Sequence, residues 1–339
     1  MPLHILSSPR FAEHVTPPGH PERPARAEAF EAIAARWQAW GGARLEPRPA
    51  RREELARVHA EHYIDGVAQL AGRTVELDPD TYTCPATADV ARLAAGGVCV
   101  AVEHAVAARA PVLALVRPPG HHAEKDKAMG FCLFNNVAVG AALGRVLGMT
   151  RVAVVDFDVH HGNGTQWMFY ADATVLYVST HQFPYYPGTG AHNEIGKGEG
   201  AGFTVNLPIE AGATDADYDL VFREAVIPIL EQFSPDLLLV SAGFDAHHRD
   251  PLAMMRVSTE GFASMIGHLH AFAARRCEGR LVVCSEGGYD LQALSDGLET
   301  TVELLERPAT VPAPMRGDSA RGRDTLEKVR GALGRYWRL

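Results

Sequence analysis

The sequence predicts an α/β fold, a single three-layer α/β/α domain with a mostly parallel central sheet. The first observation is a set of short, β-branched apolar runs at residues 112–116, 152–157, 174–178, 203–207, 237–240 and 281–284. They are apolar at successive positions, as strands covered on both faces are. The second is that helical patterns fill most of the gaps, at residues 88–109, 136–147, 217–233 and 259–276. Strand–helix alternation of this kind gives parallel strands with helices on both faces. The third is that five of the strands run into loops rich in His, Asp and Gly. In parallel sheets the ligand site lies beyond the carboxyl ends of the strands. Run 203–207 is expected at an edge, because no long helix precedes it.

The 339 residues, 47% hydrophobic and 22% charged, suffice for one large core. No Gly-, Ser- or Pro-rich linker interrupts the chain before about residue 306. Residues 1–306 therefore read as one domain, and 307–339 as a tail that becomes helical from about Ser319. The net charge of −9 supplies no basic field for nucleic acid or membrane, and Arg48, Arg51 and Arg52 read as a solvated face. The start, MPLHILSSPRFAEH, lacks a basic segment followed by an apolar run, and no uninterrupted apolar stretch approaches about 18 residues. Five scattered cysteines, Cys84, Cys99, Cys132, Cys277 and Cys284, form no CxxC pair. A reducing cytoplasmic location is the expectation.

The strand ends carry the chemistry. In DFDVHH, Asp156, Asp158 and His160 share one side of an extended chain, opposite Phe157 and Val159. Three ionisable groups beside an apolar strand are costly to bury unless they bind an ion or each other. Asp245, ending the strand at 237–240, makes the ion the better reading over an Asp–His hydrogen-bond network. Two carboxylates and an imidazole leave a position open for water, as catalytic zinc sites do; Fe(II), Co(II) and Mn(II) compete. His121 and His122 follow Arg117-Pro118-Pro119-Gly120 on the same rim, where a base is needed. Tyr289, after Gly287-Gly288, is placed to donate to a developing oxyanion, and Asn163 to orient a histidine. Gly196–Gly200 lacks the spacing of a phosphate loop and reads as a turn.

Assembled in order, HPERPAR at 20–26, RPPGHHA at 117–123, GFCLFNNVAV at 130–139, DFDVHHGNGTQ at 156–166, SAGFDAHHRDPL at 241–252 and EGGYDL at 286–291 closely resemble the arginase/deacetylase-like amidohydrolases. Within them the resemblance is to the class II histone deacetylases and their bacterial relatives, including acetylpolyamine amidohydrolases. It implies a zinc hydrolase that removes acetyl or other acyl groups from an amine. On matching positions, Asp158, His160 and Asp245 bind the metal; His122 is the base and acid; His121 is its electrostatic partner, oriented by Asp156. Asn163 stands behind His122, an amide where class I proteins carry Asp, and Tyr289 polarises the scissile carbonyl. Gly130, Phe131 and Tyr186 line the acyl-amine tunnel, Asp80 contacts substrate amides, and Arg26 guides acetate out. A structural potassium ion would use Asp156, Ser179 and main-chain groups of Asp158, His160 and Thr180; a second would use Phe169, Asp172 and Val175.

Leu252 stands where one polyamine-selective branch has Glu, which favours an acyl-lysine peptide or small acylamine over an acetylpolyamine. A dinuclear ureohydrolase shares the Asp-x-Asp-x-His strand but needs further ligands where this chain has tandem His and Tyr289. A catalytically silent acyl-lysine binder is disfavoured by the intact ligand set. The resemblance leaves oligomeric state open.

Overall fold

Successive residues of one central strand go to opposite cores: Val152 and Val154 pack with one hydrophobic cluster, Ala153 and Val155 with the other. That division is what a strand buried on both faces requires. The computed structural model describes residues 2–339. Its strands are β1 (His4–Leu6), β2 (Ala43–Leu45), β3 (Glu76–Asp78), β4 (Thr81–Tyr82), β5 (Val112–Ala114), β6 (Val152–Asp156), β7 (Val175–Gln182), β8 (Thr204–Ile209), β9 (Leu237–Ala242) and β10 (Leu281–Ser285). Eight form one sheet in the order β2-β1-β5-β10-β9-β6-β7-β8, every pair parallel, and β3 and β4 form a small antiparallel hairpin. β8 is an edge strand, as expected from its lack of a preceding helix.

On one face the helices Thr87–Ala108 and Asn136–Val146 pack with Val112, Val152, Leu239 and Val282. On the other, Pro24–Ala39, Thr259–Arg276 and Leu291–Glu306 pack with Leu113, Val155, Val240 and Val283. The three-layer α/β/α reading is correct. Each fully buried Val, Leu or Ile contributes about 1.5–3 kcal/mol through removal from water. Thr87–Ala108 is apolar and long enough to cross a membrane by composition, yet most of it is buried inside this fold.

Several boundaries differ from the sequence reading. β7 continues to Gln182 rather than ending at 178, because residues 180–182 keep their pairing with β8 and stay buried. The segment read as one helix at 217–233 begins at Asp215, capped by Thr214, and carries a π-helical turn at Phe222–Val226. Arg51 and Arg52 are exposed and Arg48 is half-buried, in keeping with a solvated face, and on it Arg48 and Arg51 converge on buried Glu54 while Arg52 pairs with Asp65. In the tail, Ala320–Leu333 is helical, and Trp337 beyond it donates its indole N–H to Gly202 O at 2.7 Å.

Strand register aligns the carboxyl ends. Asp156 at the end of β6 pairs with Ser179 of β7 and Ser241 of β9, and Ser241 with Cys284 of β10. The loops that leave these strands therefore start side by side on one rim.

Candidate active site

Asp158, His160 and Asp245 each present a ligand atom within 4.8 Å of the others. β6 ends at Asp156, so Asp158 and His160 stand in the loop beyond it. The alternation nevertheless persists, with Phe157 and Val159 buried in the core beneath. His160 Nδ1 lies 3.2 Å from both Asp158 Oδ1 and Asp245 Oδ2. The outer oxygens are held by main-chain amides: Gly287 N donates to Asp158 Oδ2 at 2.8 Å and Val159 N to Asp245 Oδ1 at 3.0 Å.

This donor set fits a divalent cation. Burial and the charge of Asp158 push Asp245 up to about 7, while His121 and His160 hold Asp158 well below the usual carboxylate range against its burial. Two crowded, buried carboxylates are an unfavourable pair that a cation relieves. The surrounding backbone leaves room for the ligands and little else. A Cβ on Gly287 would lie 2.1 Å from Asp245 Oδ2, and one on Gly243 2.1 Å from Asp158 Oδ2.

Above the triad is a cavity of about 200 Å³ lined by His121, His122, Gly130, Phe131, His160, Tyr186 and Tyr289, with Asp80, Pro119, Tyr185 and Leu252 completing it. His121 Nδ1 faces Asp156 Oδ2 at 3.1 Å, and His122 Nδ1 faces Asn163 Oδ1 at 2.8 Å. Tyr186 meets the His122 ring edge-on at 5.2 Å, and Phe131 meets Tyr289 edge-on at 5.8 Å. Gly130 is forced by contact, since a Cβ there would fall 2.4 Å from His122 Cδ2. Its neighbour Phe131 adopts a φ of 68°, an uncommon backbone conformation for a bulky residue, with its amide held by Thr81 Oγ1 at 3.1 Å.

Burial keeps the Tyr289 phenol well above its ordinary value, so it stays protonated as a donor. Its amide donates to Asp250 Oδ2 at 2.7 Å, which fixes the loop from the far side. Arg26 is fully buried beneath that loop, donating from Nε to Gly288 O at 2.8 Å and also to Glu286 O. Asp80 accepts from His20 through its main-chain carbonyl at 3.0 Å, and its carboxylate is pushed up by burial and by Asp78.

Of the residues named for potassium, Asp156, Asp158 and His160 lie in this cluster, and Ser179 pairs in register with Asp156. Ser179 Oγ is 2.9 Å from His181 Nδ1, and the Thr180 hydroxyl has no side-chain or main-chain partner. Phe169 O accepts from Asp172 N at 3.0 Å in the turn before Val175.

Residues the sequence reading passed over complete the site. Tyr185 stacks on His160 at 5.5 Å and donates to Leu252 O at 2.5 Å. The Glu286 carboxylate accepts from Gly120 N at 2.7 Å, His121 N at 3.2 Å and Ser241 Oγ at 3.0 Å, so it joins three strand ends. A charged residue within an otherwise apolar strand end was the signal for Glu286; nothing local distinguishes Tyr185 from Tyr186.

A family model for the histone deacetylase domain matches residues 20–305. The chain belongs to the histone deacetylase family. Histone deacetylase 10, chloroplastic, of Oryza sativa is 36% identical to it over 97% of this chain and 79% of its own length. A histone deacetylase-like amidohydrolase of Pseudomonas aeruginosa is 40% identical over 81% of this chain and 74% of its own. The crystal structure of the HDA15 HD domain superposes with a TM-score of 0.90 and 36% identity, covering 99% of this chain and 95% of that one. The histone deacetylase-like membership makes this a hydrolase-type α/β fold, and the Asp158–His160–Asp245 cluster is where a family metal fits.

Proposed function

We propose that the protein is a zinc-dependent amidohydrolase that removes acetyl or other acyl groups from an amine. The observation that carries this reading is the stacking of three layers along one cavity: the Asp158–His160–Asp245 triad at its floor, His122 and Tyr289 on its walls, and Phe131 and Tyr186 flanking them. A divalent ion held by the triad would supply Lewis acidity toward the carbonyl and the attacking water.

The chain's own groups do the rest. His122, pushed well below its ordinary value chiefly by burial, is neutral and takes a proton from water as it attacks the acyl carbon. The Tyr289 O–H donates to the carbonyl oxygen as negative charge develops there. His122 then delivers its proton to the nitrogen as the C–N bond breaks, and the proton left on the new carboxyl group passes to the amine, giving carboxylate and ammonium. His121 stays charged through Asp158 and Asp156 and stabilises the negative transition state. Phe131 and Tyr186 admit a slender chain and exclude a branched one. Arg26, under the Tyr289 loop, draws the carboxylate product away.

An acyl-lysine peptide or small acylamine is the proposed substrate, because Leu252 leaves the cavity wall uncharged at its position. Asp80, which also lines the cavity, favours a second reading, an acetylpolyamine whose distal ammonium it would attract. Potassium bound through Asp156 and Ser179 is part of the proposal, as is a cytoplasmic location, to which five free buried cysteines are suited. A panel of acetyl-lysine peptide, longer acyl-lysines and acetylated spermidine, assayed with defined metal loading, tests the reading. Turnover of acyl-lysine supports it, and polyamine preference selects the second; no hydrolysis by metal-loaded protein refutes both.

A further inference from the structure

We infer that Glu124 is a positioning residue for His122, acting through Asn163; the inference rests on the hydrolytic reading above. Asn163 opens the helix Asn163–Phe169 and is buried, with Oδ1 2.8 Å from His122 Nδ1. Its Nδ2 faces three acceptors: Glu124 Oε1 at 2.7 Å, His122 O at 3.4 Å and Met129 Sδ at 3.4 Å.

A carboxamide has nearly the same shape in either orientation, so its surroundings choose which end points where. Reversing Asn163 would set its oxygen against the Glu124 carboxylate and the His122 carbonyl, leaving two oxygen pairs with no proton between them. Glu124 therefore holds the amide with its oxygen toward the imidazole. An acceptor at Nδ1 places the ring proton there, and Nε2 keeps the lone pair that a base needs. In the reversed orientation Nδ2 would donate to Nδ1, and the proton would move to Nε2. His121 needs no such device, because its partner Asp156 is a carboxylate that accepts with either oxygen.

Glu124 is itself fixed at the backbone. Its amide donates to Lys127 O at 2.9 Å, and its carbonyl accepts from His59 Nδ1 at 3.0 Å. His59 can donate there because its Nε2 accepts from Asn135 N at 3.0 Å. The carboxylate reaches Asn163 from a half-buried position bordering a second cavity, lined in part by Arg57, Lys125 and Trp167. The chain Glu124–Asn163–His122 thus runs from the outer surface to the reacting centre.

The test is a cycle of wild type, Glu124→Ala, Asn163→Asp and the double variant, with deacetylation kinetics, bound zinc, thermal midpoint and the ¹⁵N-detected tautomer of His122 measured on each. Glu124→Ala should lower kcat about tenfold, part of the 10²–10⁴ that a placed general base contributes, with KM within about twofold. Glu124→Gln, which can still accept from Asn163 Nδ2, should recover most of that loss. In the Asn163→Asp background, where both oxygens accept and one is set against the Glu124 carboxylate, removing Glu124 should lower kcat no further and can only relieve that oxygen pair. An equal loss in both backgrounds, or a His122 that stays protonated on Nδ1 in Glu124→Ala, overturns the inference. If wild type hydrolyses no acyl amine, the proposed function fails, and the His122 tautomer in Glu124→Ala still decides this point.

Discussion

His121 Nδ1 lies 3.1 Å from Asp156 Oδ2, a buried imidazole on a buried carboxylate. Burial alone would drive His121 down, but Asp158 and Asp156 lift it to about 10. Burial, with the charge of His121 beside it, pushes His122 the other way. Two adjacent histidines are thereby split into a charged and a neutral member, the division acid–base chemistry uses.

That division predicts unequal effects. His122→Ala should reduce kcat by about 10²–10⁴, the contribution of a general base, and His121→Ala by a smaller factor. Steady-state kinetics at fixed zinc loading measure both. A larger loss in His121→Ala would exchange the two roles.

Tyr289→Phe should lower kcat by about 10²–10³, the usual cost of one lost oxyanion donor, with little change in KM. The ring's packing against Phe131 is retained in this variant, so its thermal midpoint should stay near wild type. Near-normal turnover would remove Tyr289 from the chemistry.

Acid stability depends on Glu22. Burial raises this carboxyl, but Arg117 and Arg26, with His14, outweigh it and bring it down to about 2. Arg117 Nε donates to Glu22 Oε1 at 2.6 Å and Arg26 Nη1 to the same oxygen at 3.0 Å. A carboxyl lowered on folding stabilises the native state above its unfolded value near 4.5 and loses that contribution as pH falls toward 2. The contribution is on the order of 3 kcal/mol. The thermal midpoint should fall steeply between about pH 4.5 and pH 2 in wild type, and less steeply in Glu22→Gln, which starts lower at neutral pH. Parallel curves would show that another group governs acid unfolding.

Leu252 and Asp80 both line the cavity. Leu252→Glu should shift the kcat/KM ratio toward acetylated spermidine over acetyl-lysine peptide by about tenfold, equivalent to about 1.4 kcal/mol. Competition assays with both substrates measure the shift. An unchanged ratio would mean that the distal amine does not reach Leu252.

The sheet was legible because β5 to β10 are buried on both faces and so read as near-continuous apolar runs. β1 and β2 escaped notice because neither lies in an apolar run as long as the 112–116 run that holds β5, and β2 is partly exposed. The helix Pro24–Ala39 escaped as well, its apolar face interrupted by the buried Arg26. At the site, Asp156, Asp158 and His160 were legible because the same-side rule operates within one segment. Asp245, His122 and Tyr289 were legible as strand-end residues, although their convergence depends on register between distant strands. Glu22 with Arg117 and Glu286 with Gly120 were not legible, since their partners lie 95 and 166 residues away. Glu124 was not legible, since its partner Asn163 lies 39 residues away.

The central claim is a hydrolase whose activity depends on one ion held by Asp158, His160 and Asp245. The direct measurement is acyl-amine hydrolysis by the chelator-treated protein during titration with zinc, with bound metal quantified in parallel. Activity should vanish on chelation and return to a plateau at one zinc per chain, and Asp245→Asn should abolish both binding and turnover. Full activity without metal, or a plateau at two ions per chain, would contradict the account.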